Sequence, residues 1–219
     1  MFVIQAQYSL AIRETSGPAF DHQETSEETV ADLFSYCREV CVESLYSGEF
    51  VKQIGGPNHI VEVDEAKFGK RKYNRGRIVE GQWVLGGICR ETREWFFVPV
   101  ENRSEETLLP IIIIKHVAAG SIIYSDQWAA YGRLSEVGFQ HGTVNHSLHF
   151  VDPASGVHTN TIESTWWAVK RSLPPTHTRK QYLGTHLAEY IWRRKYKNER
   201  CLFSLFLKEI VRVYPGLDA

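Results

Sequence analysis

The strongest constraint on the fold is the order in which strand-like and helix-like segments occur. Three short β-rich runs come first: HIVEVDE (59–65), QWVLGGICR (82–90) and EWFFVPVE (94–101), the last two joined by the turn-like ETR. From residue 104 onward the two kinds of segment alternate. SEETLLPIIIIKHVAAG (104–120) opens like a helix, although Pro110 and the β-branched isoleucines sit awkwardly in its interior. SIIYS (121–125) reads as a fourth strand, QWAAYGRLSEVG (127–138) as a short helix and FQHGTVNHS (139–147) as a fifth strand. TNTIESTWWAVKRSL (159–173) and a basic segment within 179–198 complete the series as helices. The order predicts an α/β fold, a mixed sheet flanked by helices.

Ahead of this region, residues 13–26 read as a loop. SEETVADLFSYCREVCVESLYS (26–47) spaces Val30, Leu33, Phe34, Cys37, Val40 and Cys41 at helical intervals. GGPN (55–58) marks a boundary. The expected organisation is an acidic N-terminal lead-in with one helix over 1–54, a core over 55–213 and a short tail over 214–219.

At 219 residues and 43% hydrophobic, the chain has enough apolar side chains for a real core. Its apolar runs are only a few residues long, so no membrane span is expected. The first residues lack the basic start of a secretory signal. The four cysteines form no CxxC pair; Cys37 and Cys41, four apart on one helix face, are expected to be buried thiols, in a reducing, intracellular setting.

The net charge of −1 conceals a polarity. Residues 1–50 carry nine acids and two bases, whereas residues 164–212 carry eleven bases and three acids. A second basic run, KFGKRKYNRGR (67–77), holds six Lys or Arg in eleven residues. Either cluster alone suits a solvated surface; together they suit a chain whose C-terminal half faces a polyanion.

Three acids stand at positions where metal-assisted phosphate chemistry would want them. Asp64 closes the first predicted strand, with Glu62 on the same face and Glu65 on the other. Asp126 closes the fourth, where it is also a good cap for the helix expected after it. Glu163 lies in the first turn of a helix; with Asn160 it makes N-x-x-E, which resembles a capping box. Asn160, Glu163, Trp167 and Lys170 share one helical stripe, followed by Arg171, which looks less like capping and more like a site for a charged polymer, although composition alone does not decide between them. Trp166 and Trp167 are aromatics that either stack on an unpaired base or pack in the core. The histidines His141, His146, His149 and His158, even with Cys89, lack the compact spacing of structural zinc sites. No nucleophile elbow, phosphate-binding glycine loop or dinucleotide fingerprint is present.

VEVDEAKFGKRKYNRGR, SDQWAAY and VNHSLHFVDPASGVHTNTIESTWWAVKR occur in that order over about residues 55–200, and together they resemble the Merlin superfamily of transposases and their bacterial insertion-sequence relatives. The resemblance implies an RNase H-like core of the DDE type, in which Asp64 of EVDE, Asp126 of YSDQW and Glu163 of TNTIES hold divalent metal. Sixty-one residues separate the first two and thirty-six the second pair, which suits the family. Some bacterial relatives use the asparagine of the TN pair as third ligand, here Asn160. The implied activity is cutting of phosphodiester bonds at transposon ends and joining of the 3′-hydroxyls to target DNA, with two Mg²⁺ or Mn²⁺ ions. Lys170 and Arg171 would neutralise phosphates beside the scissile bond, and Lys70, Arg71, Lys72, Arg75 and Arg77 would grip the DNA backbone. A homodimer or higher oligomer would pair two DNA ends; the location would be nuclear in a eukaryote and cytoplasmic, at the nucleoid, in a bacterium. Two rival readings share the fold: a domesticated DNA-binding protein that no longer cuts, and a nuclease without strand transfer.

Overall fold

The structure is a computed structural model, and it describes residues 25–46, 53–69, 81–174 and 180–215. Its centre is a five-stranded mixed sheet of β1 (Ile60–Phe68), β2 (Gln82–Cys89), β3 (Trp95–Val100), β4 (Ile122–Asp126) and β5 (Gln140–Val144). The strand order is β3-β2-β1-β4-β5. β2 runs antiparallel to both β1 and β3, while β1, β4 and β5 are parallel. A meander followed by parallel crossovers, with helices on both faces, is the expected RNase H-like architecture. Beside it, Ile54–Gly55 and Val117–Ala118 form a two-residue parallel ladder.

Each strand's sequence suits its place. β2 is central and covered on both faces, so Val84 to Cys89 are all buried and its sequence is almost continuously apolar. β3 is an edge, where the missing N–H of Pro99 does no harm, and Pro99 is exposed. Along β1 the period-two rule sends Val61 and Val63 into one apolar cluster and Ala66 and Phe68 into another. The first cluster lies under α2 (Glu105–Pro110) with Leu108, Ile112, Ile123 and Tyr131. The second is closed by α3 (Asn160–Ser172) and α4 (Lys180–Lys195), through Ile162, Trp166, Val169, Leu183 and Leu187.

Some elements depart from the sequence-based expectation. The segment after Ser104 starts as an α-helix, but from Ile111 to His116 it widens into a π-helix. Pro110 donates no N–H, and its ring crowds the carbonyl four residues back. The helix expected over 127–138 reduces to one 3-10 turn, Ala129–Tyr131, followed by turns; Trp128 is extended at ψ 132°, and Gly138 takes φ 95°. β1 runs on to Phe68, so Asp64 does not end it. A further helix, α5 (Leu202–Val213), follows α4. The N-terminal helix α1 (Glu27–Tyr46) forms as expected and packs on α4 and α5, with Cys41 buried and Cys37 half-buried. No described helix is long and apolar enough to cross a membrane.

Candidate active site

The site begins where the parallel ladder between β1 and β4 opens. These strands pair at Ile60↔Ile122, Val61↔Ile123 and Glu62↔Tyr124, and pairing stops there. Asp64 and Asp126 each lie two residues past the last pair, on the same face by strand alternation. β1 meanwhile stays paired with β2 as far as Phe68. Asp64 is thus mid-strand toward β2 yet at a strand end toward β4, outside the carboxyl ends of two adjacent parallel strands. In open α/β sheets that position is where ligands bind.

Each aspartate is fixed locally. The indole Nε1 of Trp166 donates to Asp64 Oδ2 at 3.0 Å. Trp166 is buried and packs at 4.7 Å from Phe97, so of the two roles open to it in the sequence it takes core packing. Asp126 Oδ1 accepts the backbone N–H of Trp128 at 2.9 Å, an Asx turn and not the cap of a helix.

Glu62 positions the third acid. It is fully buried. Its Oε2 accepts the N–H groups of Thr161 at 2.8 Å and Ile162 at 2.9 Å, two of the orphan donors at the start of α3. Its Oε1 accepts Arg90 Nε at 2.5 Å, and Arg90 Nη2 donates onward to the His158 carbonyl at 2.7 Å. A carboxylate from the sheet therefore replaces the capping box suggested by Asn160 and Glu163. The cap position is Thr159, and no side chain of α3 caps its own helix. The anchored helix turns Glu163, Trp166, Trp167 and Lys170 toward the sheet opening.

These residues line one cavity of about 500 Å³ together with Asp64, Glu65, Ala66, Lys67, Trp83, Arg103 and Asp126. All three predicted acids are thus brought to one place. Asn160 is exposed and does not line the cavity. Lys170 lies on the rim with Nζ 5.4 Å from the Phe68 ring, and Arg171 stands over the exposed ring of Trp167 at 5.0 Å. Lys70, Arg71, Lys72, Arg75 and Arg77 lie outside the described residues.

Four carboxylates (Asp64, Glu65, Asp126 and Glu163) and three cations (Lys67, Arg103 and Lys170) line the cavity. Burial, then the neighbouring Glu65 and Asp126, pushes Asp64 up to about 7. Glu65 is also pushed up to about 7, by burial first and then Asp126, against the bond from buried Tyr131 and the pull of Arg103. Arg103 Nη1 stands 3.8 Å from Glu65 Oε2. Carboxylate oxygens gathered around one cavity fit a hard divalent cation. Yet among the described residues no three His, Cys, Asp or Glu side chains converge as a finished coordination set. The reason is visible in the bonds above, to which Glu163 adds its own: its Oε1 meets Thr159 Oγ1 and His146 Nε2, both at 3.1 Å.

The parts of the site that sequence reading missed are Glu62 as helix anchor, Arg90 as its counter-ion, and Arg103 in the cavity lining. The signal for Glu62 was faint: a carboxylate in the middle of an apolar strand has to be paired.

The fold and cavity define the class, an RNase H-like α/β protein with acids gathered at the carboxyl ends of parallel strands. The chain belongs to the ISXO2-like transposase domain family, which matches residues 54–197. It is 33% identical over 118 residues to a transposase-like protein of Haemophilus influenzae, covering 53% of this chain and 93% of that one. The insertion-sequence side of the expected resemblance is therefore established, and the Merlin side is not shown by the match. Among solved structures, the HTLV-2 integrase catalytic core domain aligns over 73% of this chain and 86% of its own at 12% identity and a TM-score of 0.35. The simian T-cell lymphotropic virus intasome aligns over 75% of this chain and 51% of its own, at 12% identity and 0.36.

Proposed function

We propose that this protein is a DDE-type DNA transposase that cuts phosphodiester bonds at transposon ends and joins the released 3′-hydroxyls to target DNA. The observation that carries the reading is the placement of Asp64 and Asp126 at the same height on adjacent parallel strands, in one cavity with Glu163. Asp64, Asp126 and Glu163 would hold Mg²⁺ or Mn²⁺, two ions in the full site. When bound, such ions activate an attacking oxygen and stabilise a leaving one. The chain's own residues do the rest. Trp166 and the Asx turn hold the two aspartates on rigid strands, which limits the reorganisation needed at the moment of reaction. Lys170 and Arg171, on the outer turns of α3, would neutralise backbone phosphates at the cavity mouth. The basic run over 67–77 would extend that grip.

The inclusion of Glu163 in the cavity, which Asn160 does not line, favours Glu163 over Asn160 as third ligand. Pairing of two DNA ends calls for a homodimer or higher oligomer, and the Haemophilus relative favours the bacterial alternative of action at the nucleoid. The proposed division is an N-terminal lead-in over 1–54, the catalytic domain over 55–213 and a tail over 214–219.

The test is cleavage of labelled DNA carrying the element's terminal repeats, with Mg²⁺ or Mn²⁺. Wild type is compared with Asp126→Ala, Glu163→Gln and Asn160→Ala. Cutting should survive only in wild type and Asn160→Ala. Undiminished cutting by Asp126→Ala would sink the site assignment. Tight, salt-sensitive binding without any cutting by wild type would instead favour a domesticated DNA-binding protein.

A further inference from the structure

Arg103 is held in an unusual way. Its Cζ lies 4.2 Å from the ring centroid of Trp83 and 4.0 Å from that of Trp128. Trp128 is further tied to it, since the indole Nε1 donates to the Arg103 carbonyl at 2.9 Å. Two indoles thus restrain a side chain that is ordinarily among the most mobile. The side chain is 29% exposed and lines the cavity that also holds Asp64, Asp126 and Glu163.

Its donors are largely unspent. The Glu65 contact, at 3.8 Å, is an ion pair too long for a hydrogen bond. Among the described residues, the Arg103 guanidinium makes no hydrogen bond. The contrast with Arg90 is plain: that guanidinium is consumed by Glu62 and His158. The close hydrogen bond to Glu65 comes from Tyr131 within the core, while Arg103 acts on Glu65 through its charge alone. A guanidinium packed against two indoles, with no hydrogen bond on its N–H edge and a cavity beside it, is pre-organised for a tetrahedral or planar oxyanion.

We infer that Arg103 is a phosphate-binding residue, which takes one DNA backbone phosphate next to the bond positioned over Asp64 and Asp126. The inference rests on the transposase reading above, and it names a contact that reading does not contain. The indoles of Trp83 and Trp128 fix where that phosphate sits. Arginine, and not lysine, is the residue suited to this place, because a flat group stacks on an indole while an ammonium does not offer a fork.

The experiment is a salt titration of the full chain binding a fluorescein-labelled duplex of random sequence in Ca²⁺, which suppresses cutting. Wild type, Arg103→Gln, Arg103→Lys and the control Arg133→Gln are compared. Arg133 is surface-exposed, pairs with Glu105 and Glu136, and does not line the cavity. One phosphate contact contributes about −0.9 to the slope of log K against log salt. Arg103→Gln should flatten the slope by about that amount and weaken binding several-fold at every sequence. Arg103→Lys should keep most of the slope, and Arg133→Gln should match wild type. The same thermal melting temperature for Arg103→Lys as for wild type shows that the lysine variant is folded, whatever the glutamine variant does. A wild-type slope in Arg103→Gln would overturn the inference and leave the transposase reading standing. A wild type that binds no duplex would overturn both.

Discussion

The indole of Trp166 donates to Asp64 from α3, and it has room to do so because Gly86 stands opposite Asp64 across the β1–β2 ladder. A Cβ at Gly86 would lie 2.5 Å from Cζ2 of Trp166 and 2.8 Å from Cδ1 of Phe97. Backbone and rings cannot yield that much without moving α3 or β3. Gly86→Ala should therefore destabilise the protein by about 1–3 kcal/mol, the ordinary cost of overpacking. Trp166→Phe keeps most of the packing and loses one hydrogen bond, at about 1 kcal/mol. Urea unfolding of both variants checks the order of the two effects.

Glu62 is a buried carboxylate whose partners are Arg90 and two amides of α3. Removing it leaves Arg90 uncompensated and the helix start uncapped. Glu62→Ala should cost about 3–5 kcal/mol, and Glu62→Gln less, since an amide oxygen still accepts. In Glu62→Gln the amides of Thr161 and Ile162 should exchange hydrogen faster than in wild type. Unchanged exchange there would mean that something other than Glu62 anchors α3.

Asp64 and Glu65 shape the pH dependence. Both sit at about 7 in the folded chain, against ordinary values of 3.8 and 4.5. Raised carboxyls favour the protonated folded state, so folding becomes less stable as pH climbs from about 4 to about 7. In EDTA the urea midpoint should be lower at pH 7.5 than at pH 5.5. Mg²⁺ should restore it at pH 7.5 and do little at pH 5.5, where protons compete for the same oxygens. Asp64→Asn should shrink both the fall and the rescue. A midpoint that does not respond to Mg²⁺ at pH 7.5 would count against a metal at this site.

Glu209 behaves in the opposite sense. Its Oε2 accepts Ser44 Oγ and Arg212 Nη2, both at 2.6 Å, which ties α5 to α1. Burial works against its charge, and the bonds from Ser44 and Arg212 outweigh that and hold its pKa below the ordinary value. Its contribution is present above about 4.5 and is lost as pH falls through the lowered folded value. Ser44→Ala should cost about 1 kcal/mol at pH 7 and a smaller amount at pH 3.5, measured by thermal unfolding at the two pH values.

The sequence by itself determined the order of the five strands, the helices over Glu27–Tyr46 and Asn160–Ser172, and the candidate acids. Those features depend on local period, on β-branched runs and on where polar residues interrupt them. Alternation along β1 was enough to place Glu62 with Asp64 and against Glu65. Where β1 and β4 part company was decided by tertiary structure. The ladder ends at Glu62↔Tyr124 while β1 stays paired with β2, and no local pattern in IVEVDEAKF records which neighbour leaves first. The same holds for α3. Its own Asn160 and Glu163 suggested a cap, yet a carboxylate about a hundred residues away in the chain outcompetes them, because it must be buried and needs donors that a helix start leaves unpaired. Trp166 reads as ambiguous in sequence, and only the missing side chain at Gly86 decides that it turns inward to Asp64. Local chemistry is written in residue order. Which groups share a cavity is settled by the packing of distant segments, since that is where burial forces every charge to find its partner.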